Sequence, residues 1–431
     1  MKIKNQSYKQ GAIYSSGLSV VAKFVAFIQN VLIAYFIGAN ASTDIYFYLF
    51  GLTLLLGNMG QNIAISVLVP HITQLRMAGD QRQEMTYINT FVYSILLLGV
   101  VVSLLVWLFG PSFMNLISGF SAQTIEDNIV VLYLLTPITF LYIINMIYAE
   151  VLVSYKYFTF PLLINLVHNL LIVAFVWLLH NSLGVMAAVA GVSIAMVLNA
   201  GWLIVFLKRN IRWSFFTIRW SSLRETFSDK AVIVFNQLFW ILVSMLPMYL
   251  LSQLHPGVVT IASYATKLTQ TPMSIVNQVF SVFQIKLNEL VAVRAFQEMR
   301  KLFIRLTRSM VFLTVAGAVA LFLLRSFLVR LLYGYGGMDE ESISLLITVF
   351  GIFIFSTPFT TLSVASSKVY FATKQVKIYT LITVICGILI CIVNYFLISF
   401  QGITGYAVAF VLSEAILGIA LMRGISKTVN S

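Results

Sequence analysis

The chain has 431 residues, of which 60% are hydrophobic and 10% are charged, and its mean hydropathy is +0.95. A water-soluble domain cannot bury that much apolar surface, so the composition excludes a soluble enzyme and predicts a polytopic membrane protein. The formal charge of +13 does not indicate a nucleic-acid-binding protein, because the basic residues fall in alternate connections between apolar segments. This distribution follows the positive-inside rule and predicts that both termini are cytoplasmic.

Twelve apolar runs along the chain are long enough to cross a bilayer as helices. They begin near Ala12, Ile45, Tyr87, Ile129, Pro161, Val185, Ala231, Val258, Ser309, Ile343, Ile378 and Tyr406. The alternating pattern of barrel strands is absent, so we predict an all-α fold of about twelve transmembrane helices. Residues 1–207 and 231–431 are predicted to form two six-helix bundles. For the basic cytoplasmic linker at 208–230, a segment lying on the anionic inner leaflet and a plain connecting loop both remain open.

The two halves of the chain resemble each other. The segment that begins at Lys156 aligns without a gap with the segment that begins at Lys374, and this alignment pairs Gly184 with Gly402. After a three-residue slip, Pro137 pairs with Pro358, and both prolines fall inside equivalent spans. We predict that they form paired kinks and act as hinges, because proline removes a helical hydrogen bond. Parallel repeats in a membrane indicate a transporter whose site lies between the halves.

Polar residues within the membrane concentrate on the first two predicted helices of each half. The candidate cavity residues on these stripes are Lys23, Asn30, Asn62, Lys267, Gln270 and Asn277. A lysine at the centre of a span costs about 2.5–3.5 kcal/mol on insertion scales, so Lys23 and Lys267 need a partner or a function. Two ammonium groups among neutral polar groups suit a sugar that carries phosphate or pyrophosphate. The alternatives are ion pairs with acids such as Glu150 and Glu414, or extension of the lysine side chains to water.

Three acidic residues are candidates for a gate or a coupling site. Glu150 and Glu414 lie within predicted spans, where either could bind a coupling cation or proton or form a structural ion pair. Asp44 follows an outer turn, where a carboxylate caps a helix or forms part of a gate. No phosphate-binding loop, zinc motif or nucleophile elbow is present in the sequence. We therefore predict no enzyme activity, no catalytic residues, no metal and no cofactor.

Residues Lys23 to Phe47, which read KFVAFIQNVLIAYFIGANASTDIYF, resemble the opening of the MurJ/MviN lipid II flippases. That family belongs to the multidrug/oligosaccharidyl-lipid/polysaccharide (MOP) exporter superfamily. Its pattern is kept at Ala34, Gly38-Ala39, Asp44 and Val69-Pro70, and the segment Tyr264 to Leu268 resembles the family's Tyr-Ala-Asp-Arg-Leu segment. The chain departs from the pattern where Lys23, Gly57 and Lys267 replace arginines, where Gln29-Asn30 replace Arg-Asp, and where Asn62 replaces a glutamate. The resemblance adds Gln29 to the candidate cavity residues.

The resemblance implies a MOP/MATE-like fold and alternating access in the bacterial cytoplasmic (inner) membrane. The implied substrate is an undecaprenyl-pyrophosphate-linked saccharide, either lipid II or a glycan of the kind moved by polysaccharide (Wzx-type) flippases. The expected partners are this lipid-linked glycan, membrane lipid and proteins of cell-envelope synthesis. The membrane potential, H⁺ and Na⁺ all remain open as energy sources. A cation-coupled multidrug-type exporter and a transport-inactive membrane scaffold remain as alternatives.

Overall fold

The computed structural model describes residues 8–220 and 231–428, and the elements in these ranges are helices joined by short turns. Residues group into two compact units, Met1–Ile241 and Leu242–Ser431. The all-α fold class is thereby confirmed. The domain boundaries predicted at 207 and 231 stay a prediction, and residues 221–230 of the predicted linker lie outside the described ranges.

The helices of the first unit follow one another with short connections. They are α1 (Tyr8–Phe36), α2 (Ala41–Ile63), α3 (Val69–Met77), α4 (Gln81–Ile117), α5 (Ala122–Asp127), α6 (Ile129–Ser154), α7 (Thr159–Leu183), α8 (Met186–Phe206) and the first part of α9 (Ala231–Leu251). Two π-helical segments also occur: Ala64–Leu68 joins α2 to α3, and Leu207–Ile211 follows α8.

The second unit contains the end of α9 and five further helices. These are α10 (Val258–Ala292), α11 (Phe296–Tyr333), α12 (Glu340–Phe353), α13 (Thr357–Ala372) and α14 (Val376–Thr428). A short 3₁₀ turn, Ile354–Ser356, joins α12 to α13. Within α14 the backbone leaves the helical region at Gly402, so two helical segments meet there.

Among residues 8–220 and 231–428, ten helical stretches are long and apolar enough to cross a membrane. The sequence predicted twelve spans. One difference arises because α14 is a single stretch, although Gly402 separates the two spans predicted there. The other arises at α10, which carries the longest polar stripe of the sequence and is not among the ten. The membrane-spanning character of the chain is confirmed.

The backbone supports the internal repeat. Gly184 has φ 53° and ψ −131°, and its repeat partner Gly402 has φ 58° and ψ −135°. Lys156 and its partner Lys374 have φ values of 65° and 59°, a left-handed conformation that is uncommon for residues with a side chain. Equivalent positions in the two halves therefore end or bend their helices in the same way.

The two predicted hinge prolines differ in their surroundings. Pro137 lies inside α6, which continues as one helix on both sides of it. Pro358 lies in the first turn of α13, directly after the 3₁₀ turn, where a missing backbone N–H costs little. In the first unit the backbone departs from α-helical geometry in the π-helical segment Ala64–Leu68 and at Phe109, two residues before Pro111. The kinks are thus not paired as predicted, and the hinge role of both prolines stays a prediction.

Each unit has its own hydrophobic core. Buried side chains in the first unit include Leu68, Ile72, Ile88, Ile147 and Val151. Those in the second unit include Phe280, Leu287, Met299, Ala365 and Leu421. The outer face of α4, by contrast, exposes large apolar side chains such as Leu97 and Leu108. Such a continuous exposed apolar face indicates contact with lipid rather than with water.

The chain after α8 is held against α4 by hydrogen bonds. Trp213 is buried, and its Nε1 donates to Oδ1 of Asn89 over 2.9 Å. The amide of Asn89 in turn donates to the Ser214 carbonyl over 2.6 Å. Farther along, the Arg219 backbone N–H donates to Oγ1 of Thr90 over 2.9 Å. Residues 212–220, called the docked segment below, are therefore an ordered part of the first unit.

Candidate functional site

The candidate residues of α1 divide into one exposed cation and two buried amides. Lys23 is exposed, whereas Gln29 and Asn30 are 4% and 6% exposed. Nδ2 of Asn30 donates to the Ala26 carbonyl one turn earlier over 2.6 Å. Gln29 lies beside the phenol of Tyr46 in α2. In this conformation Lys23 is accessible to a ligand, while Gln29 and Asn30 support the helix packing.

The polar stripe of α2 forms two contacts within the first unit. Nδ2 of Asn62 donates to Oε1 of Gln237 in α9 over 3.1 Å. One residue earlier, Nε2 of Gln61 donates to Oε1 of Glu150 in α6 over 2.7 Å. Glu150 is therefore held by an amide. In the described part of the chain, neither Lys23 nor Lys267 takes part in an ion pair, so these lysines are not neutralised by Glu150 or Glu414.

In the second unit the candidate residues share one stretch of α10. Lys267 is half-buried, and Gln270 and Asn277 are exposed. Their spacings of three and seven residues place them on one face of a helix. The backbone carbonyl of Lys267 accepts a hydrogen bond from Oγ1 of Thr271 over 2.7 Å. The arrangement presents one ammonium group together with two side-chain amides.

The remaining acids have partners of different kinds. Glu414 in α14 lies beside the side chains of Thr360 and Ser363 in α13. Asp44 is 2% exposed and lies in the first turn of α2. The N-cap of α2 is Asn40, whose Oδ1 accepts from the backbone N–H groups of residues 42 and 43. The capping role considered for Asp44 therefore belongs to Asn40, and the gate or coupling roles of the three acids stay predictions.

Sequence reasoning missed a third intramembrane lysine. Lys368 lies in α13, is half-buried, and takes part in no ion pair among the described residues. The repeat alignment that pairs Lys156 with Lys374 pairs Glu150 with Lys368. The signal was available in the sequence, because Lys368 falls inside the predicted tenth span. One half of the molecule thus carries an acid where the other carries a base.

A buried charge cluster at the end of α3 was also not predicted. Glu84 is fully buried and lies 2.5 Å from the Arg76 guanidinium. Nη1 of Arg76 also donates to the Ser154 carbonyl over 3.0 Å. The guanidinium carbon lies 3.5 Å from the centre of the Tyr155 ring. The charged groups of this cluster contact one another, so they join α3, α4 and α6. They are therefore not free to bind a substrate.

Comparison with known proteins decides the family. The sequence profile described as lipid II flippase MurJ matches residues 33–430. The chain belongs to the MurJ family of lipid II flippases. It is 21% identical over 402 residues to a probable lipid II flippase MurJ of Borreliella burgdorferi, and the match covers 90% of this chain and 77% of that protein.

Solved structures agree in fold. A lipid II flippase MurJ in an inward closed conformation superposes with a TM-score of 0.85 at 17% identity, covering 96% of this chain and 87% of that one. An inward-facing multidrug resistance MATE transporter of the MOP superfamily gives a TM-score of 0.79 at 12% identity, covering 97% and 98%. The MurJ family consists of transporters and not enzymes, and the apolar helices of this member indicate a multi-pass protein of the bacterial inner membrane.

One departure from the MurJ family pattern has a visible structural cause. Gly57 stands where the pattern has an arginine, and it is buried in α2. A Cβ atom added there would lie 2.2 Å from Cε1 of Tyr142 in α6, which is far inside van der Waals contact. Tyr142 therefore fills the space that a side chain at position 57 would need. In this MurJ-family chain the cationic group at that position is replaced by close helix packing.

Proposed function

We propose that this chain is a flippase that moves an undecaprenyl-pyrophosphate-linked saccharide, in the first place lipid II, from the inner to the outer leaflet of the bacterial inner membrane. The observation that carries the proposal is the MurJ family match over residues 33–430. The absence of an ion-pair partner for Lys23 and Lys267 within the described residues supports it, because free ammonium groups suit a diphosphate head group.

The proposed roles follow from the exposure of each side chain. Lys23 and Lys267 bind the head-group phosphates as point charges, since lysine lacks the two-pronged geometry of arginine. Asn62, Gln270 and Asn277 are exposed amides that donate to and accept from sugar hydroxyls. Gln29 and Asn30 are buried, so we assign them to the support of α1. Asn62 already donates to Gln237, so substrate binding there exchanges one hydrogen bond for another.

The proposed transport cycle is alternating access, with both termini in the cytoplasm. The polar head group contacts the stripes of α1, α2 and α10, while the polyprenyl tail stays in the bilayer. Asp44, Glu150 and Glu414 are the proposed gate or coupling residues, with the membrane potential, H⁺ or Na⁺ as the energy source. Pro137 and Pro358 are the proposed hinges. Proteins of cell-envelope synthesis are the proposed partners.

A second glycan class is consistent with one observation. Three arginine positions of the family pattern hold lysine or glycine here, and Gly57 has no room for a side chain. A weaker cationic site suits a head group that is recognised more by its sugars than by its pyrophosphate. Polysaccharide (Wzx-type) flippases move lipid-linked glycans of this general kind. The substrate test must therefore include both classes.

The test is complementation in two bacterial strains. One strain is depleted of its own lipid II flippase, and the other lacks its flippase for a lipid-linked surface polysaccharide. We expect growth to be restored in the first strain, with membrane insertion of the protein verified in both. Rescue of surface polysaccharide in the second strain alone would assign the chain to the other glycan class. Rescue of neither strain by inserted protein would contradict a flippase function for these substrates.

A further inference from the structure

Three buried polar side chains converge on one small cavity inside the first unit. The cavity lies between α6, α7 and α8 and has a volume of about 30 Å³. Its walls include Asn145 from α6, His168 from α7 and Asn199 from α8. These residues are 4%, 5% and 4% exposed. Each helix thus contributes one nearly inaccessible polar side chain to the same space.

Each of these side chains has an atom without a hydrogen-bond partner in the described part of the chain. The atoms are Oδ1 of Asn145, Nδ1 of His168 and Oδ1 of Asn199. An unsatisfied buried polar atom costs about 1–3 kcal/mol, and native proteins almost always pair such atoms with protein or with ordered water. Three unpaired atoms around one cavity therefore point to a shared ligand.

The chemistry of the three atoms selects that ligand. Two of them are amide oxygens, which accept hydrogen bonds, and Nδ1 of a neutral imidazole donates in one of its tautomers. Ordered water matches this set of atoms, because a water molecule donates to amide oxygens and accepts from Nδ1–H. Three hydrogen bonds are the usual number for a buried water, and a water needs about 10–15 Å³ of such space.

We propose that ordered water occupies this cavity and joins α6, α7 and α8 through Asn145, His168 and Asn199. A monovalent cation is the competing occupant, but no carboxylate is among the residues that line the cavity, and a buried cation needs charge compensation. The site goes beyond the proposed transport function, because it lies within one unit and binds no substrate group. Its role is to hold three helices of that unit in one arrangement.

The same cavity supplies a matched control. Asn165 also lines it, but this side chain is exposed, and its Oδ1 already accepts from Nδ2 of Asn169 over 3.1 Å. Replacing Asn165 therefore changes the polarity of the wall without removing a ligand of the proposed water. Met196 is a built-in reporter, because it lines the cavity and is only 3% exposed. Met114 is equally buried, at 1%, and does not line it.

The experiment is radiolytic hydroxyl-radical footprinting of the purified full-length protein, with oxidation of each methionine followed by mass spectrometry. Radicals form from bound water where it lies, so we expect Met196 to be oxidised severalfold faster than Met114. Asn199→Leu is expected to bring Met196 down to the rate of Met114, whereas Asn165→Leu is expected to leave it unchanged. The comparison of the two methionines in the unmodified protein stands even if Asn199→Leu fails to fold.

Three results would overturn the proposal. Equal protection of Met196 and Met114 in the unmodified protein would mean that no water occupies the cavity. If Met196 is oxidised in choline chloride but becomes protected when sodium chloride replaces that salt, the occupant is a cation. If Asn199→Leu folds normally and Met196 is still oxidised rapidly, the three side chains are not the ligands.

Discussion

Single side chains with unusual surroundings give the sharpest stability predictions. Arg76 is the ion-pair partner of the fully buried Glu84, so its removal leaves an unpaired charge where water cannot reach it. We expect Arg76→Ala to lower the free energy of unfolding by about 3–5 kcal/mol. The measurement is denaturant unfolding of the purified protein in mixed micelles.

The control for this variant is the Lys286–Glu289 pair, in which both side chains are 59% exposed. Exposed ion pairs contribute about 0–1 kcal/mol, so Lys286→Ala is expected to unfold almost like the unmodified protein. Equal effects of the two variants would show that Glu84 is not desolvated as the structure describes it.

Asp339 gives a prediction about pH. It caps α12, and hydrogen bonds from Ser342 hold the pKa of its carboxyl below the ordinary value of 3.8. A lowered pKa in the folded state stabilises the protein above the unfolded-state pKa, and this contribution is lost as the pH falls through the folded-state value. We expect the unmodified protein to lose thermal stability on acidification relative to Asp339→Asn, which retains a capping oxygen but cannot titrate there. Parallel pH profiles for the two proteins would refute this role.

Position 57 tests whether a family feature can be restored. Since a Cβ atom there meets Tyr142 at 2.2 Å, Gly57→Ala is expected to destabilise the first unit by about 1–3 kcal/mol, the usual cost of overpacking. Gly57→Arg is expected to reduce the amount of folded protein in the membrane, and Tyr142→Ala in the same chain to recover part of it. Size-exclusion profiles of detergent extracts measure both effects. Full folding of Gly57→Arg alone would contradict the packing described for α2 and α6.

At the scale of helices and segments, Asn89 makes the central contacts of the docked segment, beside the bond from Arg219 to Thr90. Asn89 accepts from Trp213 and donates to the Ser214 carbonyl, so Asn89→Ala removes the partner of the buried Trp213 indole N–H and one partner of the Ser214 carbonyl. We expect faster tryptic cleavage after Arg212 and Arg219 in this variant. The control is Ser214→Ala, because the hydroxyl of Ser214 is not what Asn89 contacts. Unchanged cleavage of Asn89→Ala would show that the ring contacts of Trp213 and Phe215 with Tyr148 suffice to hold the segment.

The helices themselves could be predicted from the sequence, because long apolar runs and turn residues mark them. The break in α14 at Gly402 separates two predicted spans, but the break after α2 was not predicted. Pro137 lies in an unbroken helix. The π-helical segment Ala64–Leu68, by contrast, contains no proline or glycine from which a break could be predicted. The docked segment was predicted only as part of a linker, since its order comes from Asn89 and Thr90, more than 120 residues earlier in the chain. Such contacts are tertiary and leave no local pattern.

At the scale of the whole molecule, the repeat was the most reliable sequence signal. It paired Gly184 with Gly402 and Lys156 with Lys374, and the backbone angles of both pairs agree. For the candidate site, the sequence predicted which helix faces carry polar residues, but not the contacts between those helices. The sequence located the lysines and amides, but the burial of Gln29 and Asn30 and the bond between Gln61 and Glu150 depend on packing between helices.

The proposed transport function makes Lys23 and Lys267 necessary together. The decisive measurement is the amount of lipid II exposed on the outer face of bacteria that are depleted of their own flippase and express this chain. We expect the unmodified protein and the Lys286→Ala control to restore exposure, and Lys23→Ala combined with Lys267→Ala to abolish it at equal membrane levels. Full exposure with both lysines removed would contradict the cationic site, and no exposure with the unmodified, inserted protein would contradict lipid II as the substrate.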